Sequence, residues 1–273
     1  MKPAPLATPA DASTDRKSRA WRVLPSRVLT FCIVEWQKLS HDRTELITRS
    51  VQPVLWLVIF GETFNKVRAI PTGNVPYLNY MAPGIIAQSG MFVAIFYGIQ
   101  IIWERDAGIL AKLLVTPTPR VALIAGKAFA ATIRALAQVL VVLIVASLLH
   151  VSLTWNPLRL LGAILIVALG TVFFACLSMI IAGLVLVRDR LMGIGQAITM
   201  PLFFASNALY PVAMMPSWLR GLSAVNPLSY EVSALRSLLI GTPTTLWADF
   251  LVLFCAALIG VLLAARLLGR LAR

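Results

Sequence analysis

The sequence predicts an all-α integral membrane protein of six transmembrane helices, and three observations carry that expectation. Of 273 residues, 59% are apolar and only 13% charged, which leaves too little polar surface for a soluble domain of this length. The mean hydropathy is +0.85. The few charges cluster between long apolar stretches, which is how a bilayer sorts them. A net charge of +13 would suit nucleic acid if the cations formed a stripe on a polar fold, but they flank hydrophobic stretches. Anionic lipid headgroups are the simpler partner, and no nucleic-acid role is expected. Cys32, Cys176 and Cys255 are odd in number and widely spaced, so neither a disulfide framework nor a metal site is expected.

Residues 1–26 are basic and rich in Pro, Ala, Ser and Thr, and are expected to be disordered. They hold no short cleavable apolar core, so no signal peptide is expected. Residues 27–45 place Val28, Phe31, Val34, Trp36 and Leu39 among Arg27, Glu35, Lys38 and Arg43, the pattern of an amphipathic helix lying on the inner leaflet. An ordinary solvated helix leading into a span fits the same pattern. A span needs about 20 mostly apolar residues. The first is expected at 46–64. The second, at 81–102, gives way to the polar stretch 103–120. The third is expected at 121–149. The fourth, at 160–187, is closed by Arg188-Asp189-Arg190. The fifth, at 192–210, loses regularity around Tyr210-Pro211, and the sixth, at 246–265, runs into a basic tail. Between the last two, Pro211, Pro216, Pro227 and Gly241 interrupt an otherwise apolar segment, which predicts short external helices that re-enter the outer leaflet.

Six spans put both termini on one side. That side collects seventeen Lys and Arg against five on the other, so the positive-inside bias places both termini in the cytoplasm.

The chain carries no recognisable engine. Its only Gly-Lys pair, Gly126-Lys127, is followed by Ala128 and lacks a glycine at position 121, so a phosphate-binding loop is excluded. No span centre carries Asp or Glu: Glu62 is near the outer end of the first span. His41 and His150 fall on opposite sides, which leaves no catalytic dyad and no metal ligand set. No catalytic residue and no cofactor is expected on this chain.

Two segments stand out. In the third span Lys127, Arg134 and Gln138 are spaced i, i+7 and i+11 and share one helical face. Arg134 lies about 10 Å deeper than Lys127, where an arginine facing lipid costs at least about 3 kcal/mol. The stripe should face protein or water, with Lys127 as an interfacial anchor. Arg134 could support a moving helix interface, bond helix carbonyls or snorkel inward. Between spans two and three, Glu104 to about Val115 has helix-forming composition with acids early and Lys112 late. Thr116-Pro117-Thr118-Pro119 stops it, and Ile109, Leu110, Leu113 and Leu114 give it an apolar flank outside the membrane. That flank either packs on neighbouring helix ends or docks a cytosolic partner.

These residues resemble the bacterial ABC type-2 export permeases, especially those of the daunorubicin-resistance exporters. The likeness is carried in order by YLNYMAPGIIAQSGMF (77–92), ERDAGILAKLLVTPTPR (104–120) with Gly126-Lys127, NALYPVAMMPSWL (207–219) and NPLSYEVSALRSLL (226–239), and covers residues 27–273 as one transmembrane domain. The resemblance implies two permease chains, alike or paralogous, and two cytosolic ATPase subunits that carry ATP and magnesium. It implies that Glu104, Arg105, Asp106, Gly108 and Leu113 form a coupling helix in a cleft of the ATPase. It further implies a substrate path between the second and fifth spans, with Gln88, Phe92, Phe96, Thr199, Phe203 and Asn207. Asn226, Pro227, Tyr230 and Arg236 would form an external gate. One departure is visible: the family often carries a glutamate after the coupling glycine, whereas Gly108 is followed by Ile109, Leu110, Ala111 and Lys112. The cleft contact then relies more on apolar residues and Lys112. The expected function is export of a hydrophobic or amphipathic, drug-like substrate across a bacterial inner membrane. The alternatives are a lipid or lipid-linked glycan, an ATP-independent channel, or a membrane-embedded enzyme.

Overall fold

The computed structural model describes residues 33, 37, 43–67, 70–73, 75–115 and 120–271. The basic head and most of the expected amphipathic helix at 27–45 lie outside the described residues, as does Thr116–Pro119. Among the described residues all regular structure is helical.

The first expected span begins as α1 (Arg43–Leu55), passes through a π-helical turn (Trp56–Gly61) and ends as α2 (Glu62–Val67). Pro53 has no N–H for the Arg49 carbonyl, and the hydrogen-bond ladder takes its wider register just beyond it. The second is α3 (Tyr77–Asp106). The expected single helix from Glu104 to Val115 is corrected here. Glu104–Asp106 finish α3, Gly108 takes a left-handed φ of 69°, and a separate α4 (Ile109–Val115) follows. Glycine adopts that conformation without the Cβ clash that would stop other residues.

The remaining helices are α5 (Arg120–Leu148), α6 (Pro157–Val185), α7 (Arg188–Phe204), α8 (Ser217–Val225), α9 (Pro227–Ile240) and α10 (Leu246–Leu271). Four of the described helices, α3, α5, α6 and α10, are long and apolar enough to cross a membrane. The fifth expected span is shorter than the sequence indicated: α7 has 17 residues and ends at Phe204, three residues after Pro201, instead of at 210.

Helix α6 is the hub, packed along α3, α5, α9 and α10. Small residues allow this. Gly90 faces Thr171 and Gly98 faces Ser178, so α3 and α6 advance together and run parallel. Ser178 Oγ donates to the Ile95 carbonyl across that contact, and Gly260 brings α10 against Cys176. Along the first half of α6, Leu238 packs on Gly162 and Glu231 on Gly170, so α9 runs antiparallel to it. Gly170 is the fourteenth of the 29 residues of α6, and the α8–α9 hairpin therefore reaches the helix midpoint. The motif Asn-Pro-Leu occurs twice and starts a helix both times. Asn156 accepts from Leu158 N at 3.0 Å and Asn226 from Leu228 N at 3.1 Å, each with proline at the first helical position.

Candidate functional site

Three contacts bolt the last turn of α3 to its neighbours. Glu104 is ion-paired with Lys127 of α5. Arg105 bonds Asp106 Oδ1 at 2.8 Å and donates to the Leu186 carbonyl at 3.0 Å, where its charge meets the negative end of α6. Arg188, the first residue of α7, stacks over Trp103 at 4.2 Å. Beyond the Gly108 joint, Leu110 is fully buried while Ile109, Ala111 and Lys112 are exposed. Leu113 lies on α4, and its side chain is outside the described residues. The expected apolar flank thus divides: Leu110 faces inward and Ile109 outward. Lys127 is corrected from an interfacial anchor to a buried ion-pair partner, with only 4% of its side chain exposed. The sequence spacing placed it on the right face but could not reveal Glu104 opposite.

Above this end a hollow of about 520 Å³ opens between α1, α3, α5 and α7, lined by Arg49, Phe96, Tyr97, Gln100, Trp103 and Arg134 among others. Arg49 stands over the Phe96 ring at 5.2 Å and Arg134 over the Tyr97 ring at 5.9 Å. A smaller hollow continues past Phe92 and Phe96 to Gln138, and another passes Phe92 and Phe96 to Thr199. The fold therefore joins two sets that the sequence kept apart. Arg134 and Gln138 of the polar stripe meet Phe92, Phe96 and Thr199 of the implied path, with Phe96 common to all three hollows.

The remaining implied path residues, Gln88, Phe203 and Asn207, are inside the packed core. Gln88 and Phe203 are fully buried, and Phe203 meets Trp56 edge-on at 5.8 Å. Thr199 bonds back to the Gly195 carbonyl at 2.5 Å, and Asn207 donates to Ser233 Oγ at 2.8 Å.

Three of the four expected gate residues, Asn226, Tyr230 and Arg236, satisfy backbone carbonyls with their side chains. A helix leaves its last four carbonyls without intrahelical partners. In α7 all four are met: Pro201 by Ala205 N, Leu202 by Asn226 Nδ2 at 2.7 Å, Phe203 by Ser206 Oγ, and Phe204 by Tyr210 Oη. Arg236 is buried, stacks on Tyr80 at 3.7 Å and donates to the Asn207 carbonyl at 2.9 Å and the Tyr80 carbonyl at 3.3 Å. Tyr230 donates to the Ala224 carbonyl at the end of α8, and Pro227 opens α9. Irregular backbone at this depth is tolerable because protein groups fill its bonding capacity.

Two functional candidates escaped sequence reasoning. Arg49 was counted only as one more flanking cation, although it is the sole charged residue between Leu46 and Gly61. Glu231 was hidden in a segment assigned to the outside. It is the only acid between Asp189 and Asp249, and that isolation in an apolar stretch was the available signal. It is fully buried against Gly170, and neither oxygen has a hydrogen-bond partner among the described residues. Gln88 and the Thr171 hydroxyl are likewise buried without partners there. The absence of a carboxylate from the span centres holds for the spans themselves; the hairpin brings one to the midpoint of α6.

The family described as ABC-2 type transporter matches residues 27–240. The putative transport permease ycf38 of Cyanophora paradoxa is 30% identical over 204 residues, covering 74% of this chain and 70% of that protein. The daunorubicin resistance ABC transporter permease protein DrrB1 of Streptomyces coeruleorubidus is 27% identical over 231 residues, covering 84% and 79%. The probable doxorubicin resistance ABC transporter permease protein DrrC of Mycobacterium tuberculosis is 26% identical over 250 residues, covering 88% and 84%.

Proposed function

This chain belongs to the ABC-2 type transporter family, and we propose that it is the permease of an ATP-driven exporter for a hydrophobic or amphipathic substrate. In the family the permease is the transmembrane component and ATP hydrolysis belongs to separate subunits. ATP and magnesium are accordingly assigned to a cytosolic partner, and the permease works as a pair of chains, homo- or heterodimeric. All six spans cross a bacterial inner membrane, with both termini cytoplasmic in keeping with the excess of cations on that side.

The observation that carries the mechanism is the bolted end of α3. A force on α4 is delivered through Gly108 to Glu104, Arg105 and Trp103, and from them to α5, α6 and α7 at once. Closure of the ATPases pushes α4, the hollow collapses, and substrate affinity falls on the cytoplasmic face as the Asn226–Arg236 hairpin opens outward. Differential affinity in the two states is what converts ATP binding into transport. The drug-resistance names of the relatives favour a drug-like substrate. A lipid or lipid-linked glycan is the alternative, favoured by the two arginines in the hollow.

The test is purification of the tagged chain in mild detergent with its companions quantified by mass spectrometry. A stoichiometric ATPase is expected, and Leu113→Asp should abolish its capture while leaving the permease folded. A permease that purifies intact and alone overturns the reading.

A further inference from the structure

The core face of α9 carries an ionisable group where packing needs none. Leu228, Glu231, Val232, Leu235 and Leu239 recur at helical spacing, and none is more than 1% exposed. Four of them are aliphatic. The fifth, Glu231, lays its carboxyl over the bare Cα of Gly170, so that a β-carbon built on Gly170 would fall inside the carboxyl group. The seat exists only because position 170 has no side chain. A buried acid that serves a structural purpose is hydrogen-bonded, yet neither oxygen of Glu231 has a partner among the described residues. An ionisable group at membrane depth is costly, and such groups mark functional sites.

Three helices pack against α9, namely α6, α3 and α10. On α6, Arg159 lies eleven residues before Gly170 and Cys176 six after it, about 16 Å and 9 Å along the axis. On α3, Gly90 meets Thr171 and marks the level of the carboxyl. Tyr80 and Tyr97 stand ten and seven residues from it, with Tyr77 and Glu104–Asp106 farther still. On α10, Asp249 and Cys255 precede Gly260, which meets Cys176, by eleven and five residues, and Arg266 follows it. On α9 itself, Tyr230 bonds the Ala224 carbonyl, and Arg236 gives its donors to Tyr80 and Asn207 carbonyls. A cation about 7.5 Å along the same helix does not replace the hydrogen bonds that a carboxylate loses on leaving water. A proton removes the charge outright.

We propose that the α6–α9 seam is a proton-binding site: Glu231 keeps its proton while α9 is seated on Gly170 and gives it up when α9 lifts. On lifting, the O–H bond breaks, its electron pair stays on the carboxylate, and water takes the proton. Since the seated form holds the extra proton, seating is favoured at low pH and weakens as pH rises. Proton binding stands apart from the exporter reading; the corollary that hairpin opening in transport releases one proton per chain rests on it.

The reporter is Val232→Cys on the buried face of α9, in the full chain with its three native cysteines replaced by Ala, in phosphatidylcholine nanodiscs without ATP. Leu235→Cys is the second reporter. A water-soluble methanethiosulfonate at low concentration traps the thiol only when α9 lifts. Dividing by the rate for the same cysteine in a peptide of residues 227–240 at each pH removes the titration of the thiol itself. The corrected rate should rise at least about tenfold from pH 5.5 to 7, with a limit of about tenfold per pH unit for one proton. Glu231→Gln should make it flat, while remaining far slower than the peptide, which shows that the variant is folded. Glu231→Asp, which keeps an acid, should keep the slope. A flat parent, or a slope that survives in Glu231→Gln, overturns the proposal. Capture of the ATPase is read separately, so a failed proton site and a failed exporter reading are distinguishable.

Discussion

Lys127 on α5 and Glu104 on α3 form an ion pair whose side chains are 4% and 18% exposed, and this pair ties the third predicted span to the segment before the Gly108 joint. Removing one partner of a buried pair strands the other charge, at a cost of about 3–5 kcal/mol. Lys127→Met should therefore lower the thermal midpoint of the detergent-solubilised protein strongly. Lys127→Met combined with Glu104→Gln should recover at least half of the loss, because no charge is then left alone. If the two changes simply add, the residues do not act as a pair.

Gly108 gives a sharper test of the α4 joint. A side chain at φ 69° carries a left-handed penalty of about 1–2 kcal/mol. No atom of the described residues lies within 4 Å of a β-carbon built there, so among them the penalty is purely conformational. Gly108→Val should reduce capture of the ATPase and ATP-dependent export without reducing membrane insertion. Gly108→Asn, which tolerates the left-handed region, should restore much of both. Equal loss in the two variants would point to a contact with the glycine itself instead of its conformation.

The α3–α6 contact predicts a contrast between glycines. A β-carbon on Gly98 would approach the Ser178 backbone to 2.7 Å, and backbone in a helix cannot turn aside. Gly98→Ala should lower stability by about 1–3 kcal/mol, in line with overpacking. Gly193, with nothing among the described residues within 4 Å, should gain up to about 1 kcal/mol on the change to Ala through helix propensity. Thermal melts of both variants in one detergent decide it. A Gly98→Ala protein as stable as the parent would mean that the two helices do not approach as described.

Glu231 has no partner for a negative charge among the described residues, and burial there favours the neutral acid. Glu231→Gln preserves shape and polarity while replacing the acidic hydroxyl with a non-ionisable amide NH2. Stability should change by less than about 1.5 kcal/mol, because no hydrogen bond among the described residues is lost. Gly170→Ala, which drives a methyl into that carboxyl group, should be far worse. A large loss in Glu231→Gln would show that the carboxylate is ionised and paired in the working protein.

Much of the fold was legible because its signals are local. The apolar run closed by Arg188-Asp189-Arg190 announces a helix end whatever packs beside it, whereas the Asn156-Pro157 cap that starts α6 three residues before the expected 160 is a local signal that the reading did not use. The π-helical turn after Pro53 and the early end of α7 were less legible. A proline inside an apolar run signals a disturbance without saying whether the helix absorbs it or stops. Of the implied path residues, Phe92 and Phe96 line hollows, whereas Phe203 is fully buried, so truncating it should open a core cavity before it alters selectivity.

The sequence by itself determined the class of the molecule, the order of its helices and the shared face of Lys127, Arg134 and Gln138. Those follow from hydropathy, breakers and a fixed turn of about 3.6 residues. Only the tertiary structure decided what each face meets. Periodicity orients a side chain about its own helix but holds no information on the neighbour across the gap. That choice belongs to packing, where glycines such as Gly98 and Gly170 set how closely two helices approach. It brought Glu104 to Lys127 and Arg49 to the hollow that holds Arg134, and it carried Glu231 to the midpoint of α6.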